Sequence, residues 1–137
     1  MKLSSYTNFD GTCREAMTFY KDCIGGELNL MVVGETPVCD QMPPDMQDKI
    51  MHATLTVDGS TIMGSDMSGP GGIQRGNAAG IVLECNSDEE ISRAFNALST
   101  GGQIHQPLGP AFWGGTFGAF SDKFGINWML NYTPAQG

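Results

Sequence analysis

Two stretches of this chain share one layout, and that duplication constrains the fold more than any other feature. Thr12-Cys-Arg-Glu15 opens an amphipathic segment closed by Gly25-Gly26, and Ser87-Asp-Glu-Glu90 opens another closed by Gly101-Gly102. Each opening reads as a capping box, in which a hydroxyl accepts from a free helical N–H and a Glu three residues on reaches back. Ala16, Phe19, Tyr20 and Cys23 recur as Ile91, Ala94, Phe95 and Leu98, 75 residues later, at the i, i+3, i+4, i+7 spacing of one helix face. Strand patterns precede and follow each helix. The expected order is strand 3–9, helix 13–24, strands 27–33, 51–57 and 60–66, then strand 79–85, helix 88–99, and strands 102–107, 115–121 and 126–132. The fold class that follows is α+β, with two β-α-β-β-β repeats, about 1–66 and 78–134, inside a single 1–137 domain.

Asp58-Gly59 is a two-residue hairpin signal, because a type I′ turn needs positive φ at both central positions. It pairs Val57 with Ser60, so His52, Thr54 and Thr56 share a face with Ser65, Met63 and Thr61, while Ala53, Leu55 and Ile62 form the apolar face suited to packing under a helix. In the second repeat a four-residue turn, Asp122-Lys-Phe-Gly125, pairs Ser121 with Ile126. That register sets Thr116, Gly118 and Phe120 beside Asn127 and Met129, with Phe117, Ala119, Trp128 and Leu130 on the helix side. Two curved mixed sheets with helices outside leave their other faces to form a trough, the natural place for a ligand. Its expected lining is His52, Thr54, Met63, Ser65, Phe120, Asn127 and Met129, with Trp113 and the 34–49 loop near the mouth. Trp113 has two readings: it anchors the glycine-rich 112–115 loop, or it stacks on a planar or cationic ligand. Loop 34–49 is long enough to read as a lid or a disordered segment, and loop 67–77, with four glycines, as the crossing between repeats.

Seven basic against fifteen acidic residues give a net charge of −8, which repels phosphate backbones and anionic membrane surfaces. Nucleic acid and membrane are therefore not expected partners. No secretory pattern is seen at Met1-Lys-Leu-Ser-Ser-Tyr6, and the expected location is the cytoplasm. Cys13, Cys23, Cys39 and Cys85 show no metal-ligand spacing and read as reduced thiols, three packed and Cys39 in a polar loop. Gly69-Pro-Gly-Gly72 has neither the spacing nor the following helix of a dinucleotide-binding loop, so no cofactor is expected.

Ala16-Met-Thr-Phe-Tyr20, Gly25-Gly-Glu-Leu28, His52-Ala53, Ile62-Met-Gly-Ser-Asp66, Phe112-Trp-Gly114 and Asp122-Lys-Phe-Gly125 followed by Trp128 occur in an order that resembles the vicinal-oxygen-chelate superfamily. The superfamily includes glyoxalase I, extradiol dioxygenases and bleomycin-resistance proteins, and the likeness is to its PhnB-like branch. The resemblance implies a glyoxalase/bleomycin-resistance-like fold and a homodimer. It also implies metal ligands on four strands, typically His, Glu, His and Glu. Laid on that pattern, the positions here read Ser5, Met63, Gly80 (or Ala78 or Ala79) and Met129, none suited to a hard or borderline cation, so no metal site is expected. His105 lies far from His52 in the chain, and Glu84 and Asp66 stand at strand ends. The function expected is that of a metal-free small-molecule-binding protein. The alternative is an enzyme with lyase- or isomerase-like chemistry, either with His52 as base and Thr54, Ser65 or Asn127 orienting substrate, or metal-dependent through non-standard ligands.

Overall fold

The computed structural model describes residues 1–67 and 71–134. The chain divides into two compact units, Met1–Gln74 and Arg75–Gly137. The first contains β1 (Ser5–Asn8), α1 (Cys13–Ile24), β2 (Glu27–Val32), β3 (Ile50–Val57) and β4 (Ser60–Ser65). The second contains β5 (Ile81–Cys85), α2 (Asp88–Ser99), β6 (Gln103–Pro110), β7 (Thr116–Ser121) and β8 (Asn127–Tyr132). The sheet orders are β1-β4-β3-β2 and β5-β8-β7-β6. In each sheet the first strand runs parallel to the last and the other pairs are antiparallel. The duplicated α+β topology is thus the one expected, and both helices have the expected limits. The middle of the 67–77 crossing, at 68–70, lies outside the described residues.

The glycine pairs have a steric reason. A Cβ on Gly26 would collide with the Thr56 carbonyl, and one on Gly102 with the Ser121 carbonyl, so in each repeat the second glycine lets the chain pass closely against the third strand. The two helix starts differ. Ser87 Oγ accepts the Glu90 N–H at 3.0 Å, and Glu90 Oε1 accepts the Asn86 N–H at 3.2 Å, one residue before the cap. Thr12 makes no such side-chain bond. The Asp66 carboxylate takes that role instead: Oδ1 accepts the N–H groups of Gly11 (2.9 Å) and Cys13 (3.0 Å), and Oδ2 accepts Ile50 N–H at 2.8 Å. The expected capping box at Thr12 is therefore corrected to a cap supplied from the end of β4, which sequence neighbours could not reveal.

The helix faces follow the pattern with one rotation. α2 buries Ile91, Ala94, Phe95 and Leu98 as expected, whereas α1 buries Cys13, Ala16, Met17 and Tyr20 and leaves Phe19 and Cys23 half-buried. Under α1 lie Ala53, Leu55 and Ile62, in the register expected of the Asp58-Gly59 hairpin: Val57 opposite Ser60 and Thr54 opposite Met63. Both turn residues have positive φ, 49° and 83°.

The second hairpin differs from its expected register by one residue. Ser121 pairs with Asn127, not Ile126, and Phe120 with Trp128. Asp122 N–H donates to the Ile126 carbonyl at 2.9 Å, which leaves a three-residue connection ending on Gly125 at φ 86°. The Asp122 carboxylate stabilises this turn by accepting from Phe124 N–H (2.9 Å), Ile126 N–H (3.1 Å) and Trp128 Nε1–H (2.8 Å). A one-residue slip exchanges faces along the whole strand. Phe120 accordingly belongs to the core, fully buried and edge-on to Phe95 at 5.0 Å, and is withdrawn from the expected ligand-binding set. Phe117 and Ala119 take the helix-free face with Asn127 and Met129.

Loop 34–49 consists of three 3-10 turns, Val33–Glu35, Cys39–Gln41 and Pro44–Met46. Its ends meet through Val33 N–H to Lys49 carbonyl (2.9 Å) and Gly34 N–H to Gln47 carbonyl (2.9 Å), and Gln47 Nε2 donates to the Cys39 carbonyl at 2.8 Å. The segment is internally bonded rather than disordered.

Asp66→Ala leaves three backbone N–H groups without their acceptor, each worth about 1–3 kcal/mol when buried and unsatisfied. Urea unfolding should show a loss of about 3 kcal/mol or more. A loss below about 1 kcal/mol would mean that water satisfies these groups and the cap is dispensable.

Candidate functional site

Each sheet has one face under its helix and one face without a helix. On the helix-free face of the first unit, Tyr6 pairs with Met63, Met63 with Thr54, and Thr54 with Asn29, in a row across all four strands. His52 stands next on β3, paired with Met31, and its ring centroid is 6.4 Å from that of Tyr6. Tyr6 is 54% exposed, and His52, Thr54 and Met63 are half-buried. The structure thus brings His52, Thr54 and Met63 together on one surface. Ser65 is different: it is fully buried, its Oγ donates to the Met51 carbonyl at 2.8 Å and accepts Met67 N–H at 2.9 Å. Its hydroxyl fixes the ends of β3 and β4 and is withdrawn as a ligand contact.

On the helix-free face of the second unit, Val82 pairs with Met129 and Met129 with Ala119, forming an apolar floor in which Val82 and Met129 are well exposed. At one end Trp113 meets Phe117 edge-on at 5.8 Å and Phe112 at 4.8 Å, in a turn closed by Ala111 N–H to Gly115 carbonyl (2.8 Å). Trp113 is still 45% exposed, so it both anchors its loop and offers an indole face. The other end is polar. His105 Nε2 lies 2.8 Å from Ser121 Oγ, Ser121 Oγ donates to Asn127 Oδ1 at 2.7 Å, and Asn127 Nδ2 donates to the carbonyls of Gly76 and Ala79, both at 3.0 Å. Sequence reasoning missed His105 and Ser121. In the register expected from the sequence Ser121 alternates with Phe120 and so falls on the helix side, and His105 is brought over β7 by a bulge that no turn residue signals.

The cysteine thiols divide by burial. Burial, then the nearby Asp66 carboxylate, pushes Cys13 up to about 12 against a smaller opposing effect of Arg14. Cys85 is pushed up to about 11 by burial and by Glu90 and Glu84. Cys39 and Cys23 are half-buried.

The sequence model of the Glyoxalase/Bleomycin resistance protein/Dioxygenase superfamily matches residues 2–130. The chain belongs to this superfamily. YjdN of Escherichia coli (strain K12) is 35% identical over 145 aligned positions, covering 99% of this chain and 98% of YjdN. The crystal structure of protein PA1353 from Pseudomonas aeruginosa superimposes with a TM-score of 0.85 at 40% identity, over 96% of this chain and 97% of that one. The PhnB protein from Bacillus cereus superimposes at 0.76 with 26% identity, over 97% and 100% of the two chains. The PhnB-like likeness read from the sequence therefore holds in three dimensions.

Of the four positions that the resemblance gives to metal ligands, Met63 stands beside Tyr6 and Met129 beside Val82 on the helix-free faces of their sheets, Ser5 pairs with Ile62 on the helix side, and Gly80 precedes β5. The thioethers of Met63 and Met129 are poor donors for Zn, Mn or Fe(II). Among the described residues no group of three or more His, Cys, Asp or Glu side chains could hold an ion. No helix of the described residues is long and apolar enough to cross a membrane.

Alkylation of the native protein at pH 8 should label Cys39 and leave Cys13 and Cys85 intact, because only the thiolate attacks and both buried thiols are held protonated. Peptide mass mapping before and after denaturation checks this. Early labelling of Cys13 would show that α1 opens from its sheet.

Proposed function

We propose that this chain is a small-molecule-binding protein of the glyoxalase/bleomycin-resistance type that works without the superfamily's standard metal ion. The observation that carries this reading is the quartet Tyr6, Met63, Val82 and Met129. On the helix-free faces Tyr6, Val82 and Met129 stand exposed and Met63 half-buried, and Met63 and Met129 occupy two of the positions that the resemblance gives to metal ligands. Exposed apolar side chains next to a few polar ones suit an organic ligand. His52, Thr54 and Met63 are the contacts proposed for the first unit, and Trp113 and Met129 those for the second, where Asn127 holds the polar end through its bonds to Ser121 and to the Gly76 and Ala79 carbonyls.

Binding is favoured over catalysis by the surroundings of His52. Its neighbour is the Tyr6 ring, and among the described residues no side chain hydrogen-bonds it. A general base needs an orienting partner and a substrate proton within reach. We further propose a homodimer working in the cytoplasm, where the four cysteines stay reduced, with no nucleic-acid or membrane partner at a net charge of −8.

Two measurements test this. Elemental analysis of protein purified without chelators should find Zn, Ni, Mn and Fe well below one equivalent per chain. Stoichiometric metal that survives dialysis and disappears on substitution of two helix-free-face side chains would overturn the metal-free reading. Light scattering at micromolar concentration should return twice the mass of one chain, and a monomer mass would exclude the dimer.

A further inference from the structure

The hydrogen-bond chain at the polar end of the second unit has a fixed direction. The Gly76 and Ala79 carbonyls can only accept, so both bonds at 3.0 Å come from the Asn127 amide nitrogen and Asn127 Oδ1 faces Ser121 as an acceptor. Ser121 gives its single proton to that oxygen. Its Oγ can then only accept from His105, so Nε2 of His105 carries the hydrogen. In the neutral imidazole the lone pair is left on Nδ1, for which the described residues supply no donor. His105 is exposed, and the β6–β7 ladder skips it, running from Ile104–Phe120 to Gln106–Ala119. Bulges of this kind re-aim one side chain and concentrate beside binding sites.

We propose that His105 is a ligand-contacting residue of the second unit, with Ser121 and Asn127 as its positioning residues. Its Nδ1 accepts an O–H or N–H donor at one end of a small molecule whose apolar body lies along Ala119 and Met129 toward Phe117 and Trp113. From Ser121 to Phe117 the strand advances about 13 Å at ~3.3 Å per residue, which suits an elongated aromatic molecule with one terminal donor. The inference rests on the reading of this face as a ligand-binding surface.

The test compares 4-phenylphenol with 4-methoxybiphenyl, in which a methyl group replaces the donor hydrogen, by titration followed at the Trp113 indole N–H. The phenol should bind roughly tenfold more tightly, a difference of about 1.4 kcal/mol. His105→Ala should remove that preference, so that the two molecules bind the variant with equal affinity. Nitrogen-15 spectra of the neutral imidazole should place the hydrogen on Nε2 in the native protein and on a mixture of both nitrogens in Ser121→Ala. Equal affinities for the two molecules, or a hydrogen on Nδ1 in the native protein, would overturn the inference alone. Failure of both molecules to bind would overturn it together with the reading of this face.

Discussion

The Asp66 carboxylate is the interaction on which the first unit depends. It stands just past β4 and accepts from the backbone at the start of α1 and at the start of β3, joining three segments that are distant in sequence. A buried carboxylate accepting several N–H groups is a strong anchor, because charge-assisted bonds exceed neutral ones and each donor would otherwise be stranded. Its position sets where α1 lies along β3 and β4, and therefore which side chains are left without a helix over them. Asp122 has a corresponding role in the second unit, where it holds a turn and the Trp128 indole and so sets the phase of β7 against β8.

From these anchors the division of each sheet into two faces follows. Beneath the helices lie close-packed groups such as Leu55 under α1 and Phe120 against Phe95, where loss of volume is costly. The opposite faces carry Tyr6, Met63, Val82 and Met129, side chains that gain little from solvent exposure. The presence of such groups on exposed strands is the physical basis for the proposal that these faces bind a small molecule. Thioethers and aliphatic groups desolvate an organic ligand at low cost and adapt to its shape.

The legibility of the faces depended on how each strand is connected. Asp58-Gly59 admits essentially one hairpin geometry, and every assignment on β3 and β4 derived from it, His52 and Met63 included, has the expected face. Asp122-Lys-Phe-Gly125 admits a three- or a four-residue connection, and the choice between them is made by the Asp122 carboxylate reaching Trp128. Phe120 changed faces for that reason. Ser5 lies on the helix side beside Ile62, because β1 joins its sheet through parallel pairing to a strand far along the chain, where no hairpin sets the register. Ser65 had the right alternation, but its hydroxyl is bonded to the backbone of Met51 and Met67.

Sequence alone determined the duplicated α+β order, both helix limits, the first hairpin register and the superfamily, because capping residues, 3.6-residue periodicity and two-residue turns act over a few positions and leave local marks. Tertiary structure alone decided the cap on α1, the phase of the second sheet and the chain from His105 through Ser121 to Asn127. Each of these depends on a side chain meeting backbone or hydroxyl groups brought near by strand pairing, and no periodicity within a short window encodes which partner it will find.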